Sequence, residues 1–87
     1  MFTVREKKRV QKSVQKMPLE VQSLYRALLL DLEESGPMQP SWKNFSKLGD
    51  VKYHCHLNYR WVACWTYREE ILTVEVYYAG SREKAPY

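Results

Sequence analysis

Eighty-seven residues, 45% hydrophobic and 28% charged, describe one globular domain and exclude a disordered chain. Two cysteines are too few for a disulfide scaffold, and the longest apolar run, Ala27–Leu30, is far too short to cross a membrane. A net charge of +4 favours a polyanionic partner without demanding one.

A chain of this size buries only roughly 60–65% of its unfolded surface, so its core must be efficient. Three Trp, seven Tyr and two Phe supply large apolar areas for that purpose. The charge is unevenly spread: residues 1–17 carry six Lys/Arg against one Glu, and residues 18–35 carry one Arg against four acids. With no secretory leader pattern and only two cysteines, a reducing, cytoplasmic compartment is the simplest expectation.

Met1–Arg5 alternates, with Phe2 and Val4 on one face, and predicts a short strand. From Lys7 to Lys16 a basic helix is expected, because Val10, Val14 and Met17 fall at helical spacing. Its other faces hold Lys8, Arg9, Lys12 and Lys16. Pro18 opens a second helix, whose stripe is Val21, Leu24, Tyr25, Leu28 and Leu32, and Gly36 and Pro37 end it. Gly36 to Asp50 reads as a packed loop with Trp42, Phe45 and Leu48 as plugs. Beyond it the period changes to two. Val51–Leu57, Arg60–Tyr67 and Ile71–Ala79 are expected strands of an antiparallel meander, the last broken by Gly80. The fold class is therefore α+β, ordered β-α-α-β-β-β, with two helices on one face of a small curved sheet.

His54 and His56 stand two apart and share one strand face, opposite Tyr53, Cys55 and Leu57. On the next strand Trp61, Ala63, Trp65 and Tyr67 form the apolar set, and Arg60, Val62, Cys64 and Thr66 point the other way. If both apolar sets face the helices, His54, His56 and Arg60 meet on the open face. The same parity puts Cys55 and Cys64 on opposite faces, against their pairing.

Three readings of the histidines are open at this point. They can be a solvent-facing pair without a task. A metal site needs a third ligand, and Cys64 alone supplies a soft one, without any CxxC or HExxH spacing. Phosphodiester chemistry is the third, since a neutral imidazole can take a hydroxyl proton near pH 7 and arginines match a phosphorane's oxygens. Arg60 and Arg82 are the candidate arginines. Tyr87 can stack a base or share a proton.

The runs Trp42-x-x-Phe45-Ser46-Lys47-Leu48-Gly49, Tyr53-His54-Cys55-His56-Leu57, Tyr59-Arg60-Trp61-Val62-Ala63-Cys64-Trp65 and Tyr77-Tyr78-Ala79-Gly80-Ser81-Arg82-Glu83-x-Ala85-Pro86-Tyr87 together resemble the RelE/ParE superfamily of bacterial toxins. These are the toxic halves of type II toxin–antitoxin pairs, and the resemblance spans the whole chain as a single domain, 1–87.

In its RelE branch the resemblance implies a ribosome-dependent mRNA endonuclease without cofactor or metal, neutralised by a cognate antitoxin. Attack is by the mRNA 2′-hydroxyl on the adjacent phosphate. It implies His54 or His56 as general base, Arg60 on the phosphate, Arg82 neutralising charge and Tyr87 orienting a nucleotide. Lys8, Arg9, Lys12, Lys16 and Lys47 become the expected contacts to RNA and ribosome. Histidines stand where the best-known pattern has lysines, which favours an acid–base pair. The rivals are a ParE-like inhibitor of DNA gyrase and a non-catalytic RNA-binding module.

Overall fold

Five strands and two helices make up the computed structural model, which describes residues 1–87. They are β1 (Thr3–Glu6), α1 (Lys8–Gln15), α2 (Leu19–Ser35), β2 (Ser46–Lys47), β3 (Lys52–His56), β4 (Trp61–Arg68) and β5 (Thr73–Ser81). The strands form one sheet in the order β1-β5-β4-β3-β2, with β1 parallel to β5 and every other pair antiparallel. No helix is long and apolar enough to cross a membrane.

The helices and one sheet face enclose a core of 14 residues. Val21, Tyr25, Leu28 and Leu32 supply the buried stripe of α2, while Val10 and Met17 come from α1 and the turn after it. Leu24, expected in that stripe, is 37% exposed: it falls a residue short of Tyr25 and so lies on the stripe's flank. Cys55, Ala63, Trp65, Val74, Val76 and Ala79 meet the helices from the sheet. Burying one Leu or Val side chain here stabilises the fold by roughly 1.5–3 kcal/mol.

Past Glu6 the first strand leaves the sheet, and α1 takes over that margin of β5. Lys7 N–H donates to the Val76 carbonyl at 3.3 Å, and Ser13 Oγ donates to the Ala79 carbonyl at 2.6 Å. A side chain thus satisfies a ladder group that no strand reaches.

Gly36 ends α2 with φ 84°, and a Cβ at this position would stand 2.6 Å from the Phe2 ring. Both backbone and space therefore require glycine. Gln39, buried just beyond, donates to the Asp31 carbonyl at 3.0 Å and the Gly36 carbonyl at 2.8 Å, tying the following loop to the end of the helix. Trp42 and Phe45 pack against the core as expected of the loop's plugs, but Leu48 does not join it. Phe45, Tyr53 and Trp65 stack in a trio with centroids 6.1 to 6.3 Å apart.

The expected loop also contains a strand. Ser46 and Lys47 pair with His54 and Tyr53, a two-residue edge too short for any periodicity to reveal. Nor does Gly80 break the last strand. It pairs with Val62 and the strand runs on to Ser81, because a ladder needs no side chain; the missing Cβ instead admits the Tyr78 hydroxyl. Ile71 belongs to a 3-10 turn, Glu69–Ile71, and is 58% exposed. A bulge leaves Tyr77 without a partner between the pairs Cys64–Tyr78 and Trp65–Val76.

Candidate functional site

The face of the sheet turned away from the helices carries the histidines. Register pairs His54 with Cys64 and His56 with Val62, and directly opposed residues share a face. Cys55 instead opposes Ala63 and enters the core, so the two cysteines lie on opposite faces and both are free. Burial pushes the Cys55 and Cys64 thiols up to about 12, keeping them protonated.

His54 and His56 are 8% and 9% exposed, with ring centroids 5.7 Å apart. The Tyr87 ring lies against His54 at a centroid distance of 4.5 Å. Each imidazole is held at Nδ1. For His54 the partner is Ser46 Oγ at 3.0 Å, and for His56 it is the Asn44 amide nitrogen at 3.4 Å. Both contacts come from the segment that crosses to β2, which the His56 N–H also anchors by donating to the Lys43 carbonyl at 2.8 Å.

The electrostatics favour neutral imidazoles. Burial lowers the pKa of His54, opposed by a backbone hydrogen bond to Ser46. For His56 burial is again the largest cause, and His54, Arg82 and Lys43 add to it by like-charge repulsion. Tyr87 is raised, first by burial, with Arg82 pulling the other way. Arg82 thus acts on both His56 and Tyr87.

His54, His56, Arg82 and Tyr87 therefore come together. Arg60 sits in the bend before β4 rather than on the strand, so parity does not govern its side chain. Its guanidinium lies 5.8 Å from the Tyr59 ring, and that of Arg82 lies 5.9 Å from the same ring. Lys8, Arg9 and Lys12 are exposed on α1, which adjoins the end of β5, and Lys16 is exposed just past its end. Lys47 is elsewhere. It opposes Tyr53, with Nζ 5.9 Å from that ring, and so points to the face opposite the histidines.

Lys43, Asn44 and Ser46 went unrecognised from sequence, although the Ser46-Lys47 pair alternates as a strand does. Without a third residue the alternation carries no signal.

No family model matches the chain, and no curated protein matches it significantly. Solved structures do. RelE of the archaeal RelE–RelB complex from Pyrococcus horikoshii aligns with a TM-score of 0.78 at 14% identity, covering 97% of this chain and 98% of that one. The isolated E. coli RelE toxin aligns at 0.76 and 18% identity, over 99% and 89%. The YoeB–YefM complex from Staphylococcus aureus matches at 0.71 and 10% identity, over 92% and 95%. The two-helix, five-stranded chain therefore has the RelE-like toxin fold.

Proposed function

We propose that this protein is the toxin of a type II toxin–antitoxin pair and acts as a ribosome-dependent endoribonuclease on mRNA. The observation that carries the reading is the pair of desolvated imidazoles flanked by Tyr87 and Arg82 on the sheet face turned away from the helices. Titratable groups held close and kept near neutrality are the parts that proton transfer to and from oxygen needs.

The 2′-hydroxyl attacks the adjacent phosphorus. Its O–P bond forms as the P–O5′ bond breaks, giving a 2′,3′-cyclic phosphate and a 5′-hydroxyl. Hydrogen bonding divides the labour between the histidines. His54 places Nδ1 3.0 Å from Ser46 Oγ, and with Nδ1–H donating to that oxygen the Nε2 lone pair is left to take the 2′-proton. His56 accepts at Nδ1 from Asn44 when neutral; as the imidazolium, with the Asn44 amide turned so that its oxygen accepts from Nδ1–H, it delivers the Nε2 proton to O5′. Arg82 neutralises charge on the nonbridging oxygens, Tyr87 stacks or orients a nucleotide, and Arg60 meets the backbone further out. The basic residues of α1 contact ribosomal RNA, and an antitoxin covers the site when the toxin is silent.

Mapping mRNA cuts in a translating extract tests this. The wild type is expected to cut, and the His54→Ala/His56→Ala double variant to lose roughly 100-fold or more, while still sedimenting with ribosomes. Undiminished cutting by the double variant overturns the assignment.

A further inference from the structure

Beside the histidines a bend and a turn face each other across an open cleft. In the bend, Asn58 Oδ1 accepts from the backbone N–H of Arg60 at 2.9 Å and of Trp61 at 3.1 Å. This Asx turn fixes the chain and thrusts Tyr59 outward. The opposite wall is the 3-10 turn Arg82–Lys84, tied across by the Arg82 N–H donating to the Arg60 carbonyl at 2.8 Å. The cleft measures about 270 Å³ and is lined by Tyr59, Arg60, Trp61, Ser81, Arg82 and Glu83. Pockets for drug-sized ligands begin at roughly 300 Å³, so a single nucleotide is the appropriate scale.

Three features of this lining point to a ligand. Tyr59 is 66% exposed, with a guanidinium near its ring at 5.8 Å and another at 5.9 Å. Cation–π contact on such a ring steadies it and leaves aromatic surface for stacking. The guanidiniums also provide two cations for a phosphate. Glu83 forms no ion pair with either arginine, the one ion pair of the molecule being Lys7–Glu75 at 3.8 Å. Its carboxylate oxygens are thus available to something entering the cleft.

An ionised carboxylate only accepts hydrogen bonds, which decides among the bases. Guanine offers N1–H and the N2 amino group side by side, matching both oxygens. Adenine and cytosine set one amino group beside a ring-nitrogen acceptor that a carboxylate repels, and uracil encloses its single N–H between two carbonyls. We infer that Tyr59 and Glu83 form a guanine-reading subsite. Tyr59 stacks the base, Glu83 accepts from its Watson–Crick edge, and Arg60 holds the attached phosphate. Arg82 lines this cleft and its charge acts on His56, so the guanine belongs to a nucleotide near the scissile phosphate. That last position rests on the endoribonuclease reading; the base chemistry of the cleft does not.

Two measurements test the inference together. In cut-site mapping, the wild type should enrich guanine at one position flanking its cuts, and Glu83→Gln should reduce that preference by about 10- to 100-fold. Tyr59→Ala should lower cutting whichever base is present. Both residues are exposed, so the variants are expected to fold. In the second measurement, labelled protein is titrated with GMP, AMP, CMP, UMP and inorganic phosphate, following backbone amide shifts. GMP should move the Tyr59 and Glu83 amides at concentrations where the other nucleotides and phosphate do not, and Glu83→Gln should abolish the difference. Cutting without guanine enrichment, an undiminished preference in Glu83→Gln, or equal shifts from phosphate and GMP overturns the subsite. GMP-selective shifts in a protein that cuts no mRNA overturn the nuclease reading and leave the subsite standing.

Discussion

The Tyr87 ring lies across His54, with centroids 4.5 Å apart and planes inclined by 51°. It is part of what keeps water from that imidazole, whose pKa burial lowers. Tyr87→Ala should therefore raise the His54 pKa toward its ordinary value and slow cutting by roughly tenfold, through lost positioning. Tyr87→Phe keeps the ring and should keep the lowered pKa. Imidazole NMR titration of both variants separates the ring's effect from the hydroxyl's.

Both histidines titrate below the ordinary value of 6.5. If one must be neutral and the other protonated, kcat/KM should follow a bell whose maximum lies on the acid side of 6.5, and decline as pH rises beyond it. Lys43→Ala removes a cation that depresses His56 and should move the alkaline limb upward. Stability has its own sign. Because the folded pKa values are depressed, the unfolded chain binds more protons as pH falls from 6.5 toward them. Stability is thus full above 6.5 and lost on acidification through that window, which urea melts at several pH values can follow.

Ser46→Ala removes the Oγ contact to His54, worth about 1 kcal/mol, and frees the ring to rotate. Turnover is expected to fall roughly tenfold with KM nearly unchanged, and Ser46→Thr to restore it. A pure KM effect would mean that Ser46 serves binding rather than the imidazole.

Gly36→Ala places a methyl group where the Phe2 ring stands, at a backbone angle that alanine resists. A loss of about 1–3 kcal/mol is expected, and so a melting point lower by roughly 4–8 °C for each kcal/mol. Thermal denaturation checks it. An unchanged melting point would show that Phe2 can move aside.

Helices were legible because their apolar residues repeat locally. Val10, Val14 and Met17, and likewise Val21, Leu24, Tyr25, Leu28 and Leu32, predict buried faces from spacing alone, and the structure buries or half-buries all of them except Leu24. Strand alternation worked as well for β3 and β4, since His54 and Cys55 take opposite faces wherever the strand lies. The failures came where local pattern had no length or no authority. Two-residue β2 has no period, Gly80 reads as a breaker outside its sheet, and Arg60 precedes the strand whose parity was applied to it.

The sequence by itself determined the α+β class, the two helices, the shared face of His54 and His56, and the opposition of the two cysteines. Each of these follows from contacts or directions within a few residues. Tertiary structure alone decided that Ser46 and Asn44 hold the imidazoles, that Lys43 repels His56, that Tyr87 covers His54, and that Lys47 points away. Those relationships join residues 8 to 33 positions apart, or depend on which strand lies beside which. No periodicity encodes them. They exist only once the chain has paid the entropy of bringing β2 and the last turn against β3.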